Sequence, residues 1–131
     1  MRPARLLTVR LPAFHLRLGC CGGCGDMVDI ELRGRAGGVA VECDSPRHAG
    51  LLLVTGIWSP DITEAALRVI TQAPEGTRVL LVGDCALGRG WFLESTRAAR
   101  PLPDDLGPYA ELGGCPVSAA DIRERIDDVA R

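Results

Sequence analysis

The reactive chemistry of this sequence is concentrated in sulfur. Six cysteines, Cys20, Cys21, Cys24, Cys43, Cys85 and Cys115, each lie in a stretch punctuated by glycine or proline. The first group is Gly19-Cys20-Cys21-Gly22-Gly23-Cys24-Gly25. Its C-x-x-C spacing puts two sulfurs within reach of one metal centre, and the glycines let backbone N–H groups approach those sulfurs without side-chain obstruction. Such donors offset the negative charge of grouped thiolates, which a low-dielectric site would otherwise reject. The same spacing serves zinc sites and dithiol oxidoreductases, so the motif alone leaves all three chemistries open.

Two further thiols stand alone. In Gly83-Asp84-Cys85-Ala86-Leu87-Gly88-Arg89-Gly90 the two glycines Gly83 and Gly88 have the spacing of a phosphate loop, but Arg89-Gly90 stands where Lys-Ser/Thr is required, which argues against nucleotide binding. In Gly113-Gly114-Cys115-Pro116 the cysteine precedes a proline. That pairing is frequent among iron–sulfur ligands, because proline stiffens the turn and removes a competing donor. Cys43 reads as a small apolar residue at a strand end. His48 reads as part of the loop before a strand, and no motif surrounds His15. Trp58 and Trp91 read as packing residues in turns, and Arg47 and Arg89 as solvated charges that would offset a negative metal group if they lay near one.

Distant thiols can meet only if the fold gathers them. Three short aliphatic runs, Val39–Val41, Leu51–Val54 and Val79–Val82, predict strands covered on both faces. Ser59-Pro60-Asp61 predicts a helix start, with Ser59 as the cap and Pro60 as the first helical residue. The spacing of Ile62, Ala65, Ala66, Val69 and Ile70 predicts a core-facing stripe, and Pro74 and Gly76 stop the helix. Strand, helix and strand form a βαβ unit, which implies a parallel sheet. Ser118 and Asp121 suggest a capping box opening a C-terminal helix with the stripe Ile122, Ile126 and Val129. Leu6–Leu11 is expected to be a strand and Arg97–Gly114 a long irregular loop. The fold class expected is α/β, a mainly parallel sheet flanked by helices. In such sheets the carboxyl ends of the strands gather at one edge where ligands bind, and Cys85 directly follows one of those ends.

The 131 residues allow one domain, 1–131, and a composition of 47% hydrophobic and 24% charged residues sits near the globular average. Aromatic content of 4% leaves the core to Leu, Val, Ile and Ala. A net charge of −2, with both signs interspersed, argues against a nucleic-acid partner. Met1–Arg10 lacks the apolar stretch of a signal peptide, and the run Leu51–Val54 falls far short of the roughly 20 residues that cross a bilayer. The expectation is a cytoplasmic protein, soluble or peripheral to the membrane, in a compartment where thiols stay reduced and serve metal or redox chemistry.

From about Gly19 to Val117 the chain resembles the small electron-transfer subunit shared by respiratory complex I, as its 20 kDa subunit, and membrane-bound [NiFe] hydrogenases. The resemblance is carried by Cys21-Gly22-Gly23-Cys24, by Ser45-Pro46-Arg47-His48-Ala49 running into Leu51-Leu52-Leu53-Val54-Thr55-Gly56, by Gly83-Asp84-Cys85-Ala86, and by Gly114-Cys115-Pro116. It implies a flavodoxin-like domain holding one [4Fe–4S] cluster, with Cys21, Cys24, Cys85 and Cys115 as ligands. In the complex I branch two adjacent cysteines serve, so Cys20 is the alternative to Cys24. The sequence departs from the family at Asp29-Ile30-Glu31, an acidic segment displaced by Gly25-Asp26-Met27-Val28, and at Val117, where a second proline often stands.

The reading is therefore an electron-transfer subunit of a multi-subunit oxidoreductase, with no substrate pocket of its own. The implied partners are a large hydrogenase-like or quinone-reductase-like subunit and other iron–sulfur subunits, with the membrane reached only through the complex. The competing readings are a thioredoxin-like thiol–disulfide oxidoreductase using Cys21 and Cys24, and a zinc-stabilised structural module.

Overall fold

Runs of aliphatic residues too short for helices and apolar on both sides form the centre of the sheet. In the computed structural model, which describes residues 11–19, 22–34, 40–89, 102–103 and 105–130, these runs are β3 (Leu51–Thr55) and β4 (Arg78–Val82). Every residue of β3 is buried, as are Val79 to Val82 of β4. Three further strands complete the sheet: β1 (Leu11–Arg17), β2 (Ala40–Glu42) and β5 (Ala110–Leu112). The order is β2-β1-β3-β4-β5 and every pairing is parallel. This is the doubly wound order of flavodoxin-like sheets, whose switch point lies between β1 and β3.

Alternation along the buried strands divides the interior into two cores. On one face Ala13, Leu51, Leu53, Leu80 and Val82 meet Cys24, Val28 and Leu32 of α1 (Gly23–Gly34) and Ile122 and Ile126 of α3 (Ala119–Ala130). On the other, Leu52, Val54, Val79 and Leu81 meet Trp58, Ala86, Leu87, Leu106 and Ala66 of α2 (Pro60–Thr71). Two helix starts follow from local chemistry. The Ser118 hydroxyl accepts the Asp121 amide at 3.1 Å, supplying one half of the expected capping box. Ser45 caps a single 3₁₀ turn, Pro46–His48, by accepting the Arg47 amide.

Three expectations are corrected, and a fourth falls mostly outside the described residues. β1 runs from Leu11 through Arg17, beyond the expected Leu6–Leu11, whose residues Leu6–Arg10 lie outside the described residues. Pro12, which donates no ladder bond, hides this strand in the sequence. The expected loop from Arg97 to Gly114 contains β5, three residues bounded by Gly107-Pro108 and Gly113-Gly114. Ser59 stands at the cap of α2, but its side chain makes no capping bond; its carbonyl instead accepts the Thr63 hydroxyl at 2.7 Å. Of the α2 stripe only Ala66 is buried, and Ala65 is exposed, so this helix is partly covered rather than embedded.

Candidate functional site

Parallel pairing sends the carboxyl ends of β1, β3, β4 and β5 to one edge of the sheet. β1 leaves through Leu18 and Gly19 toward Cys20 and Cys21, β4 through Gly83-Asp84-Cys85, and β5 through Gly113-Gly114-Cys115. Cys24 is the second residue of α1, where the helix dipole favours negative charge. The exit of β1 is stitched to that of β3: the Leu18 amide donates to the Thr55 carbonyl at 2.7 Å and the Ile57 amide to the Gly19 carbonyl at 3.0 Å. Gly56 makes that approach possible, since its φ is +104° and a Cβ there would lie 2.5 Å from the Gly19 nitrogen.

The sulfur of Cys24 lies against the exit of β4. Cys24 is 8% exposed and belongs to the core beneath the edge. Gly83 has φ +94°, and a Cβ there would sit 2.6 Å from Cys24 Sγ and 3.7 Å from the Gly114 carbonyl oxygen. Glycine at position 83 thus admits the sulfur of one candidate ligand beside the turns that carry two others.

Those two turns are bonded to each other. The Gly83 amide donates to the Leu112 carbonyl at 2.7 Å, the Asp84 amide to the Gly114 carbonyl at 2.9 Å, and the Gly114 amide to Asp84 Oδ1 at 2.9 Å. The Arg89 amide donates to the Asp84 carbonyl, and its guanidinium lies 3.8 Å from both Asp84 Oδ1 and Glu111 Oε1. From the opposite face the indole of Trp58, fully buried, donates to the Ala86 carbonyl at 2.8 Å. The Cys85 turn is therefore held on both sides, and Trp58 is a packing residue that also fixes this turn.

The fold brings Cys24, Cys85 and Cys115 to one edge. Cys20 and Cys21 lie outside the described residues, as does Trp91. Among the described residues no three His, Cys, Asp or Glu side chains are close enough together to hold a metal ion, and Cys115 is exposed to solvent. The donor set, thiols carried at the exits of parallel strands of one sheet, is of the soft kind that suits thiolate-bound metals. Cys43 is separate from this group. It follows β2, on the far side of β1, packs against the second core, and its thiol donates to the Ser45 carbonyl at 3.4 Å. His48 and Arg47 belong to the 3₁₀ turn, away from that edge.

A polar cluster that the sequence did not suggest lies where β1 and β3 meet α1. The side chain of His15, 4% exposed, places Nδ1 3.0 Å from Asp29 Oδ1 and Nε2 2.9 Å from Thr55 Oγ1. With Asp29 ionised and accepting, Nδ1 carries the proton and Nε2 accepts the Thr55 hydroxyl. Arg17 donates to Asp29 Oδ2 at 2.7 Å and to Asp26 Oδ1 at 3.2 Å. Burial lowers the His15 pKa below the ordinary 6.5, against the opposing pull of Asp29. For Asp29, partial burial opposes ionisation, but the His15 hydrogen bond and the charges of His15, Arg33 and Arg17 outweigh it and hold the carboxyl below its usual value. The cluster ties β1 and β3 to α1, and so fixes the helix whose second residue is Cys24. Partners 14 and 40 residues away give no periodic signal; only the strand register, which pairs Arg17 with Thr55, brings them together.

No protein-family model matches the chain. It is 34% identical over 107 residues to a Pyrococcus furiosus protein named "Probable membrane-bound hydrogenase subunit mbhJ", the match covering 79% of this chain and 64% of that one. It is 29% identical over 105 residues to a subunit of the F(420)H(2) dehydrogenase of Methanosarcina mazei, covering 76% and 54% respectively. Against an NAD(P)H-quinone oxidoreductase subunit of Prochlorococcus marinus it is 36% identical over 73 residues, 55% of this chain and 30% of that one. The chain thus spans less than two thirds of the length of these relatives. In fold it matches, with TM-score 0.73 and 21% identity over 95% of its length, 71% of a chain in the structure of the membrane-bound sulfane sulfur reductase, an archaeal respiratory membrane complex. Among the described residues no helix is long and apolar enough to cross a membrane. The relatives of this chain are subunits of oxidoreductase complexes, and the domain it shares with the solved respiratory complex is a five-stranded, all-parallel α/β sheet.

Proposed function

We propose that this chain is an electron-transfer subunit of a multi-subunit oxidoreductase and that it holds one [4Fe–4S] cluster through Cys21, Cys24, Cys85 and Cys115. The observation that supports this most is the common edge: three of the four candidate thiols belong to segments packed or bonded to one another at the carboxyl end of a parallel sheet. A bound cluster would supply one-electron oxidation and reduction. The chain's own contribution is to hold sulfur donors on hydrogen-bonded strand exits and to bury Cys24 away from water. Its relatives' names suggest the partners: a large hydrogenase-like or quinone-reductase-like subunit and further iron–sulfur subunits, with membrane association through the assembled complex.

The test is metal analysis of the chain purified without oxygen. About four irons and four sulfides per chain are expected, as one [4Fe–4S] group requires. Cys85→Ser and Cys115→Ser should each abolish them, and Cys43→Ser should leave them intact. Comparing Cys20→Ser with Cys24→Ser decides which of that pair is a ligand. Stoichiometric zinc in place of iron would establish the structural-module reading, and an active dithiol at Cys21 and Cys24 with neither metal would establish the thiol–disulfide one. Full iron content in both the Cys85 and Cys115 variants would reject the ligand set.

A further inference from the structure

We infer that Asp84 is a positioning residue whose carboxylate, by accepting the Gly114 amide, fixes the Cys115 turn relative to the Cys85 turn before any metal group is bound. Asp84 immediately precedes Cys85 and Gly114 immediately precedes Cys115. Between them run two hydrogen bonds in opposite directions, Asp84 N to Gly114 O and Gly114 N to Asp84 Oδ1, both 2.9 Å. The closure therefore acts one residue away from each thiol.

The sheet alone does not determine this spacing. The ladder between β4 and β5 ends at Val82 and Leu112, and the two residues that follow on the β5 side are glycines, Gly114 with φ +146°. A Gly-Gly segment has more conformations to lose than any other pair, so a specific acceptor is needed to select one. Asp84 meets that need by accepting the Gly114 amide on Oδ1. The choice of residue also carries information. A carboxylate beside two thiolates is electrostatically unfavourable unless it is compensated. The compensation comes from the Arg89 guanidinium, 3.8 Å from the same oxygen and shared with Glu111. An acidic side chain placed there with a counter-charge beside it is consistent with the geometry it enforces.

The cluster readout of this inference rests on the cysteine reading above, whereas its backbone readout does not. Two measurements on the full chain separate them. In the metal-free protein the Gly114 amide should exchange with deuterium at least about ten-fold faster in Asp84→Ala than in the parent, and within about two-fold of the parent in Asp84→Asn, whose amide oxygen still accepts. In the iron-loaded protein, iron removal by a chelator should be at least about five-fold faster in Asp84→Ala, with an altered electron paramagnetic resonance line shape, and close to the parent in Asp84→Asn. If Asp84→Ala does not fold, Asp84→Ser, whose hydroxyl is too short to reach Gly114, takes its place. Unchanged Gly114 exchange in the Ala or Ser variant overturns the inference. Equal loss in the Ala and Asn variants also overturns it, because charge and not acceptance would then be responsible. A parent protein that takes up no iron sinks the cluster reading, while the exchange result still decides the role of Asp84.

Discussion

Replacing Gly83 by alanine loads two costs onto one position at the candidate site. The backbone there has φ +94°, and forcing an L-residue into the left-handed half of the map costs about 1–2 kcal/mol. The new Cβ would also lie 2.6 Å from Cys24 Sγ and 3.3 Å from Cys24 Cβ. The sulfur must then swing about χ1 or the turn must shift, and insertion of a methyl into a packed core typically costs about 1–3 kcal/mol. The total is roughly 2–5 kcal/mol, a large part of the about 5–15 kcal/mol that holds an ordinary domain together. Urea unfolding of the reduced, metal-free chain measures it, with an unchanged m-value as the sign that only stability moved. A second cycle isolates the contact: in a Cys24→Ala background Sγ is gone, so Gly83→Ala should cost about 1–3 kcal/mol less than in the parent. A Gly83→Ala protein within about 0.5 kcal/mol of the parent, or an identical cost with and without the Cys24 sulfur, would refute the packing of Cys24 against the β4 exit.

Three further outcomes are expected. Trp58→Phe keeps most of the buried ring but strands the Ala86 carbonyl, so a loss of about 1–3 kcal/mol by thermal or urea unfolding is expected, and no loss would show that the indole bond is not made. Ser118→Ala removes the acceptor of the Asp121 amide and should lower stability by about 0.5–2 kcal/mol, while Ser118→Asn should restore most of it. The pH dependence follows from His15. Its folded pKa lies below the 6.5 of an ordinary histidine, so the unfolded chain binds the extra proton as pH falls below that value. Stability is therefore full above 6.5 and declines below it, with a slope of up to about 1.4 kcal/mol per pH unit until the folded imidazole is itself protonated. Asp29, also lowered, adds a loss of the same sign at more acidic pH. In His15→Gln the decline starting near pH 6.5 should disappear from urea midpoints measured between about pH 5 and 8, and its persistence would assign it to another group.

Elements whose cause is local can be read from the residues alone. Aliphatic runs this short, bounded by glycine and polar residues, read as doubly covered strands, so β3 and β4 were legible from Leu51–Val54 and Val79–Val82. Pro60 after Ser59, and Ser118 before Asp121, marked two helix starts because capping is settled within one turn. The cysteines and their flanking glycines and proline were visible as residue types, and the parallel sheet implied a shared edge for them. Tertiary structure decided everything that depends on register. The extent of β1, where Pro12 contradicts a central strand, and β5, only three residues between glycine-bearing turns, owe their conformation to hydrogen bonds from neighbouring strands. α1, opened and closed by glycine, is held by packing on the sheet and by the His15–Asp29–Arg17 cluster. Local propensity reports what a residue prefers alone, but whether Cys24 lies against Gly83, or Asp84 clasps Gly114, is fixed by parallel strands that align residues 30 or more positions apart, and no spacing in the chain encodes that distance.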